Sequence, residues 1–176
     1  MRKIVLYIAT SIDGFIAKSD GSVEWLETIP NPTKTDYGYY EFYDSIDTTL
    51  MGNATYQQVL SFDIPFPYSG KTNYVFSRTQ HADNEDVKFI SKDIVEFVKE
   101  LKAQVGNDVW LVGGGNLNAF FLENGLIDKM IVSVMPIVLG SGIPLFGANA
   151  KDVEVQFSLK KTTSFESGVV QLVYER

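Results

Sequence analysis

Three consecutive glycines follow an apolar segment in Val109-Trp110-Leu111-Val112-Gly113-Gly114-Gly115-Asn116-Leu117. Glycines between a buried strand and a helix allow a sharp turn and a close approach of a ligand, because no Cβ atom intervenes. The free N–H groups and the dipole at the start of that helix suit a pyrophosphate. The spacing matches neither G-x-G-x-x-G nor the P-loop, so a tight turn kept only for packing stays open as the alternative.

Two further turns have the residue types of an anion site. A second glycine-opened helix begins at Gly52-Asn53-Ala54-Thr55, where the Thr55 hydroxyl either adds to the free N–H groups or simply caps the helix. A strand end at Ser77-Arg78-Thr79 places two hydroxyls beside a guanidinium, whose planar fork of donors suits a phosphate monoester. An ordinary surface arginine is the alternative there. Three such turns predict a dinucleotide-binding site, because open α/β sheets bind ligands at the carboxyl ends of their strands.

One more glycine turn, Gly140-Ser141-Gly142, lies within the apolar segment from Met135 to Phe146. It either lines a bound cofactor or connects two strands, and the residues alone favour neither interpretation. Near the N-terminus, Asp13-Gly14 is typical of the turn that ends a strand.

The composition removes most side-chain catalysts. The chain has no cysteine and one histidine, which excludes thiolate nucleophiles, disulfides and multi-histidine metal sites, so no metal is expected. His81 lies in a polar run, and a solvated loop residue is favoured over a catalytic role. A net charge of −7 argues against nucleic-acid or acidic-membrane partners, whose phosphates require Lys and Arg. A small-molecule ligand is expected, and backbone N–H groups could hold it even if it is anionic.

The elements that position these turns alternate between strand and helix. Val109–Val112, the glycine turn, a helix over Asn116–Asn124 and a strand over Lys129–Met135 form a βαβ unit, which implies a parallel sheet. Asp93–Gln104 has the apolar stripe of a helix, with Asp93 and Glu96 resembling a capping box. The other predicted elements are strands at Ile4–Thr10, Thr48–Met51, Asn73–Ser77 and Val87–Ile90, helices at Asp36–Tyr43 and Tyr56–Leu60, a long loop over Phe15–Thr35, and an antiparallel hairpin of Val153–Phe165 and Val169–Tyr174.

The length of 176 residues predicts one α/β domain with a mixed sheet over residues 1–176. The N-terminal run from Met1 to Thr10 lacks the cleavage site and the longer apolar core of a signal peptide. No stretch approaches the ~18 apolar residues of a membrane span. We therefore expect a cytoplasmic protein without membrane partners.

The order of these motifs resembles the dihydrofolate reductase-like superfamily, and within it the reductase domain of bacterial riboflavin biosynthesis and its stand-alone relatives. The resemblance covers residues 2 to 175 and rests on five segments in order: Ile8–Ala17, Met51–Tyr56, Phe76–Arg78, Val112–Leu117 and Pro136–Gly140. It implies a three-layer α/β fold with a mixed, mainly parallel sheet and an antiparallel C-terminal hairpin. It also implies a homodimeric oxidoreductase that transfers a hydride from NADPH to a pyrimidine, such as a 5-amino-6-ribosylaminouracil phosphate, or to a pterin. A nucleotide-binding or regulatory domain without turnover is the alternative, and a flavoprotein is a third possibility.

The resemblance also implies roles for individual residues along the cofactor. Ala9 and Ile16 would border the nicotinamide, and Ser77 and Arg78 would lie near the adenosine 2′-phosphate. The phosphates would be held by the two helix starts, Gly52, Asn53, Ala54 and Thr55 in one and Gly113, Gly114, Gly115, Asn116 and Leu117 in the other. Relatives usually carry arginine at the position of Asn53, so NADPH and NADH remain alternatives.

The substrate side has fewer candidates. In the folate enzymes a carboxylate at the start of the helix after the long loop holds the pterin, and Asp36 matches that place, with Glu24 and Glu27 as competitors. A carboxylate in an apolar cleft would have a raised pKa, whereas a simple helix cap is the other interpretation of Asp36. Ser133 falls where those enzymes place a hydroxyl beside the pterin.

Overall fold

A mixed eight-stranded sheet forms the centre of the molecule, in a computed structural model that describes residues 1–147 and 153–176. A smaller two-stranded sheet lies beside it. The strands are β1 Ile4–Thr10, β2 Phe15–Ala17, β3 Ile46–Gly52, β4 Thr72–Phe76, β5 Lys88–Ile90, β6 Asp108–Gly113, β7 Lys129–Val134, β8 Ile143–Pro144, β9 Ser158–Ser164 and β10 Val170–Glu175. The helices are α1 Tyr39–Ser45, α2 Asn53–Ser61, α3 Ile94–Ala103 and α4 Gly115–Glu123, with a 3₁₀ helix at Glu24–Thr28.

The order of the large sheet is β5-β4-β3-β6-β1-β7-β10-β9. All neighbours from β5 to β7 are parallel, whereas β10 is antiparallel to both β7 and β9. The strands β6 and β7 of the predicted βαβ unit are parallel but flank β1 instead of pairing with each other. The short strands β2 and β8 pair separately. The predicted fold class is therefore confirmed.

Side chains alternate between the two faces of the sheet and give it two cores. On one face, Ile4 and Leu6 of β1 pack with buried residues of α3 and α4, such as Val98 and Phe121. On the other face, Val5 and its neighbours pack against α1 and α2. The sheet and the helix pairs on its two faces make three layers, and the helix starts lie at the carboxyl ends of the strands.

Most predicted elements are present, with shifts at their ends. The Phe15–Thr35 loop contains β2 and the 3₁₀ helix, and the first strand of the hairpin begins at Ser158, after Val153. The predicted capping box at Asp93 is wrong, because Asp93 has a φ of 50° and its side chain makes no cap hydrogen bond. Within residues 1–147 and 153–176, no helix is long and apolar enough to cross a membrane.

Candidate functional site

The carboxyl ends of β1, β6, β3 and β4 lie side by side along one edge of the sheet. Gly52 at the end of β3 is opposite Phe76 of β4, and Met51 is opposite Gly113 of β6. On the far side of β1, Ala9 is opposite Ser133 of β7. Since neighbouring strands are about 4.8 Å apart, β1 and β4 are separated by about 14 Å. The strand order thus brings the predicted site residues of four separate chain segments to one edge.

The two glycine-opened helices begin next to each other. A Cβ atom added to Gly114, the residue before α4, would lie 3.2 Å from Oγ1 of Thr55 in the first turn of α2. A Cβ atom at Gly52 would lie 3.8 Å from the carbonyl oxygen of Gly113. Beside them, Oδ1 of Asn53 is buried and has no hydrogen-bond partner among residues 1–147 and 153–176. The N–H groups of two helix starts and a hydroxyl therefore lie together, with close approach allowed by glycine, which fits the phosphates of a dinucleotide.

The glycines of this turn do not all serve the same purpose. Gly113 has a φ of 109°, which favours glycine, and the Gly113-Gly114 peptide bond is cis. Gly115 packs directly against the backbone of Pro144, where a Cβ atom would meet the carbonyl oxygen. The packing interpretation therefore applies to Gly115, whereas the missing side chain at Gly114 lets the start of α4 approach the Thr55 hydroxyl of α2 closely. Asn116 is exposed, and Leu117 is half-buried.

The second glycine loop, residues 136–147, is fastened to the elements around this site. The carboxylate of Asp13 accepts hydrogen bonds from the N–H groups of Leu139 and Gly140 at 3.1 and 2.7 Å. Further along the loop, the carbonyl of Leu145 accepts from Nδ2 of the fully buried Asn118 at 2.9 Å. The loop therefore supports the glycine turn and, through the β2–β8 pair, the predicted nicotinamide neighbour Ile16.

The end of β4 presents the predicted phosphate monoester ligands. Ser77 is half-buried, and its N–H donates to the carbonyl of Ile90 in the neighbouring strand. Arg78 is exposed and makes no hydrogen bond or ion pair with any residue that the structure describes. Its guanidinium therefore keeps its full set of donors for an anion.

A polar network surrounds Ser133 on the face covered by α1. Nε2 of Gln171 in β10 donates to Oγ of Ser133 at 3.1 Å and to the carbonyl of Tyr37 at 2.9 Å. The same carbonyl accepts from the Tyr7 hydroxyl at 3.2 Å, and the Tyr37 hydroxyl donates to Oγ of Ser167 at 3.0 Å. Tyr37 has a φ of 54°, an uncommon conformation for a bulky residue. The network therefore fixes the segment before α1 beside Ser133.

Asp36 differs from the sequence expectation in its environment. Its carboxylate is exposed and accepts hydrogen bonds from the N–H groups of Gly38 and Tyr40 at 3.1 and 2.9 Å. These bonds, the one from Tyr40 first, hold the pKa of Asp36 below its usual range. The expected raised pKa in an apolar cleft is therefore wrong, because the hydrogen bonds stabilise the ionised form. The N-cap residue of α1 is Gly38 and not Asp36, although the Asp36 carboxylate accepts from the N–H of Tyr40 in the first turn of α1.

Asp36 is nevertheless the carboxylate with an electrostatic link to this network. Burial, followed by the negative charge of Asp36, raises the pKa of Tyr7 to about 12. Glu24 and Glu27 are exposed on the 3₁₀ helix, whereas Trp25 between them is 2% exposed and packs near Ala9. A role of Asp36 or Ser133 toward a substrate stays a prediction.

The sequence interpretation missed three residues that support the site. Tyr7 and Gln171 hold the network around Ser133, and Asp13 fastens the second glycine loop. The sequence did indicate the position of Tyr7, because Tyr7 lies two residues before Ala9 and therefore shares its face of β1. The sequence also indicated a special role for Gln171, because it is a polar residue within an apolar strand. No feature of the sequence indicated the role of Asp13, because its partners Leu139 and Gly140 lie 126 and 127 residues away.

Comparison with known proteins places the chain among reductase domains. Residues 2–171 match the family described as RibD C-terminal domain. The chain is 42% identical over 176 residues to the Bacillus subtilis protein YwjB, across 99% of this chain and 98% of that protein. It is similar to the structure of a Shewanella sp. PV-4 protein assigned to riboflavin biosynthesis, with a TM-score of 0.87 and 33% identity over 99% of this chain and 98% of that one.

The fold is shared more widely. Dihydrofolate reductase from Enterococcus faecalis, solved with NADP(H), has a TM-score of 0.69 at 16% identity, over 99% of this chain and 96% of that one. At that identity the likeness concerns the fold alone. Since the family match spans almost the whole sequence, and the glycine turns and the strand order agree with it, the chain belongs to the RibD C-terminal domain family and has a dihydrofolate reductase-like fold.

Proposed function

We propose that the protein is an NADPH-dependent reductase that transfers a hydride to a pyrimidine or pterin-like ring. One observation carries this proposal: the order of the site residues along the sheet edge follows the order of the parts of the cofactor. From β1 to β4 the edge presents Ala9, then the α4 start, then the α2 start, then Ser77 and Arg78. A nicotinamide, a pyrophosphate and an adenosine 2′-phosphate follow one another in the same sequence.

The phosphate part of the cofactor has a suitable set of donors. The backbone N–H groups at the starts of α2 and α4 would hold the pyrophosphate, with the Thr55 hydroxyl beside Gly114. This arrangement explains how a chain of net charge −7 could bind an anion, because the attraction comes from local dipoles and from Arg78. The orphaned Oδ1 of Asn53 is an acceptor, so it would face a hydroxyl or a water and not a phosphate oxygen.

The nicotinamide end has apolar walls. When bound, the cofactor would supply the hydride. Trp25, Met135 and Val169 form a buried cluster with Ala9 packed against it, and these side chains would exclude water from the reacting ring. The protein's part is then to position the two rings, and this requires no cysteine or histidine.

The substrate would lie beside Ser133, where the network of Gln171, Tyr37 and Tyr7 keeps the polar groups in place. The Tyr7 hydroxyl is protonated at neutral pH, as an ordinary tyrosine is, and burial raises its pKa further, to about 12. Asp36 would supply the negative charge that attracts an amidine-like ring edge. The solved relative assigned to riboflavin biosynthesis supports a pyrimidine as the first substrate to test.

The first experiment measures cofactor binding by tryptophan fluorescence. We expect NADPH to quench the emission of Trp25, because that residue packs near Ala9. The variant Trp25→Phe should lose the signal, whereas Trp110→Phe, whose indole packs among Tyr7, Tyr39 and Phe42, should retain it. No fluorescence or thermal-stability response at millimolar NADPH would contradict the proposal.

The second experiment separates an enzyme from a binding domain. A reductase consumes NADPH absorbance only when a pyrimidine or pterin substrate is added, and it should lose that turnover in Asp36→Asn. Retained NADPH affinity with no turnover on any such ring would favour the alternative, a nucleotide-binding domain of the same fold. A yellow preparation with flavin absorbance would favour the flavoprotein.

We further propose a homodimer formed through the C-terminal hairpin. β9 lies at one end of the sheet order, and Leu159 on it is 54% exposed. An unpaired strand edge with an exposed apolar side chain favours association with another copy. Light scattering would measure the molar mass of the wild type and of Leu159→Lys, and we expect a dimer and a monomer, respectively. A monomeric wild type would contradict the proposed dimer.

A further inference from the structure

The start of α1 differs from the starts of α2 and α4 in what its backbone N–H groups bind. In the described part of the chain no side chain caps α2 or α4, so both starts keep N–H groups for an anion. At α1 the N–H groups of Gly38, Tyr39 and Tyr40 all donate to Asp36, at 3.1, 3.0 and 2.9 Å. The first and third bonds go to its carboxylate and the second to its carbonyl. The protein's own acidic residue therefore takes the donors that an anionic ligand would need on this side.

Asp36 also makes the charge beside α1 negative. Backbone N–H groups, that of Tyr40 first, hold the pKa of its exposed carboxyl below the usual range, so the group is ionised at neutral pH. Among the residues that the structure describes, Asp36 has no ion pair with a lysine or an arginine, and the same is true of Glu41 and Asp44 on α1. A further negative group in this region would be repelled, because these carboxylates lack a cationic partner there.

The cations of the described residues are engaged in other contacts or belong to other segments. None of these lysines and arginines makes a hydrogen bond or an ion pair with Asp36 or with the network around Ser133. Lys71 lies over the ring of Tyr43 in α1, but its Nζ donates to two backbone carbonyls at 2.8 Å, where α1 ends. Lys34, two residues before Asp36, is exposed and is the alternative phosphate ligand that an experiment has to exclude.

The other groups of this region are neutral or aromatic. The network around Ser133 consists of hydroxyls, the amide of Gln171 and the carbonyl of Tyr37, which carry no charge. Tyr40, whose N–H donates to Asp36, is 70% exposed. A carboxylate beside an exposed tyrosine ring suits a neutral or cationic heteroaromatic ring, because the ring face attracts positive charge and the carboxylate accepts N–H groups.

We propose that the substrate is a pyrimidine or pterin-like ring, neutral or positively charged, that carries no phosphate ester. This inference rests on the proposed function and names the substrate class of the same site. A phosphate monoester on a sugar of the ring would add a charge of about −1.5 to −2. Because Asp36 would hold the ring edge, that charge would lie within about 10 Å of the carboxylate, where repulsion persists at physiological salt. The phosphorylated pyrimidine that the family resemblance implied is therefore disfavoured, although the ring itself is retained.

The test compares matched rings that differ only in the phosphate. One pair is 5-amino-6-ribosylaminouracil and its phosphate, and the other is dihydroneopterin and its monophosphate. Dissociation constants would be measured by calorimetry with NADP⁺ present, and kcat/KM by the loss of NADPH absorbance. NADPH binding alone, measured by fluorescence, separates a failure of the cofactor site from a failure of the substrate site.

Three variants accompany the wild type. Asp36→Ala removes the carboxylate and frees the N–H groups of Gly38 and Tyr40. Its matched control is Asp44→Ala, which removes the same charge from the exposed last turn of α1. Lys34→Ala removes the alternative phosphate ligand.

We expect the wild type to bind at least one of the rings without phosphate, and to bind its phosphate about tenfold more weakly. Asp36→Ala should reduce this preference even where it weakens both members of a pair, because the ratio reports the charge and not the fold. Asp44→Ala should keep the preference.

A phosphate that binds as tightly as its parent ring in either pair would overturn the inference and leave the proposed reductase intact. If that affinity is lost in Lys34→Ala, the phosphate belongs to Lys34. An unchanged preference in Asp36→Ala would also overturn the inference. A wild type that binds NADPH but neither binds nor reduces any of the four rings would contradict the proposed function itself.

Discussion

Asp13 and Gly140 are joined by a hydrogen bond of 2.7 Å between Oδ2 of the carboxylate and the backbone N–H. The two residues lie in the turn after β1 and in the loop after β7. The same carboxylate also accepts from Leu139. Because β1 and β7 are parallel neighbours, their following loops leave the sheet at the same edge, and one carboxylate holds them together.

This pairing should depend on pH in a defined direction. A hydrogen bond with Ser11, assisted by the N–H groups of Leu139 and Gly140, lowers the pKa of Asp13 from its ordinary value of 3.8. A carboxyl with a lowered folded-state pKa stabilises the fold above its unfolded-state pKa and loses that effect as the pH falls through the folded-state value. Amide exchange at Leu139 and Gly140, corrected for intrinsic rates, should therefore stay slow at neutral pH and accelerate below pH 3.8. In Asp13→Ala, exchange should be fast at neutral pH also, and an unchanged rate there would contradict the role of Asp13.

Two neighbouring glycines should respond differently to alanine. In Gly115→Ala the new Cβ atom would meet the carbonyl oxygen of Pro144, so we expect a loss of about 1–3 kcal/mol in the free energy of unfolding. In Gly114→Ala the Cβ atom would lie 3.2 Å from Oγ1 of Thr55, inside the proposed phosphate cradle. That variant should keep its stability and lose at least about tenfold in NADPH affinity, or about 1.4 kcal/mol. Denaturation measures the stability of both variants, and fluorescence titration measures their NADPH affinity. A stable Gly115→Ala, or a Gly114→Ala that binds NADPH as the wild type does, would contradict the separate roles of the two glycines.

Gln171→Leu should affect both stability and turnover. It removes the donor to Ser133 and to the Tyr37 carbonyl, so we expect about 1–3 kcal/mol less free energy of unfolding. Turnover should fall because the segment before α1 loses its connection to β10, while NADPH affinity should stay unchanged. A double-mutant cycle with Ser133→Ala measures the coupling, and additive losses of turnover would show that the two residues act independently.

Asp36→Asn should reduce kcat/KM while the dissociation constant of NADPH stays unchanged, because the hydrogen bonds of the Asp36 carboxylate go to Gly38 and Tyr40 and not to the phosphate cradle. Glu24→Gln serves as the control, since Glu24 is exposed on the 3₁₀ helix before the same network. The lowered pKa of Asp36 predicts that the carboxylate is ionised across pH 5–8. The part of kcat/KM that depends on Asp36 should therefore be flat over that range. A change in wild-type kcat/KM near pH 6 that is absent in Asp36→Asn would contradict this expectation.

The local elements could be predicted because their signals are local. The apolar run of β1 and the glycine turn between β6 and α4 follow from side-chain periodicity and backbone freedom alone. Of the two interpretations of Asp36, the apolar cleft was wrong, because the sequence does not reveal which backbone N–H groups a carboxylate will meet. The partners of Asp13 and Gln171 depend on loop paths and on strand order, which no short window of sequence contains.

The sequence by itself indicated that a chain without cysteine, with one histidine and a charge of −7, would hold an anionic dinucleotide largely through backbone amides at glycine turns. It also determined, through the order of those turns, the family that the comparison confirmed. Only the tertiary structure decided the positions along the sheet edge. The order β4-β3-β6-β1-β7 depends on pairings between strands that lie far apart in the sequence, such as Ile4 of β1 with Val109 of β6. That order sets Ser77 and Arg78 at one end of the predicted site and Ser133 at the other.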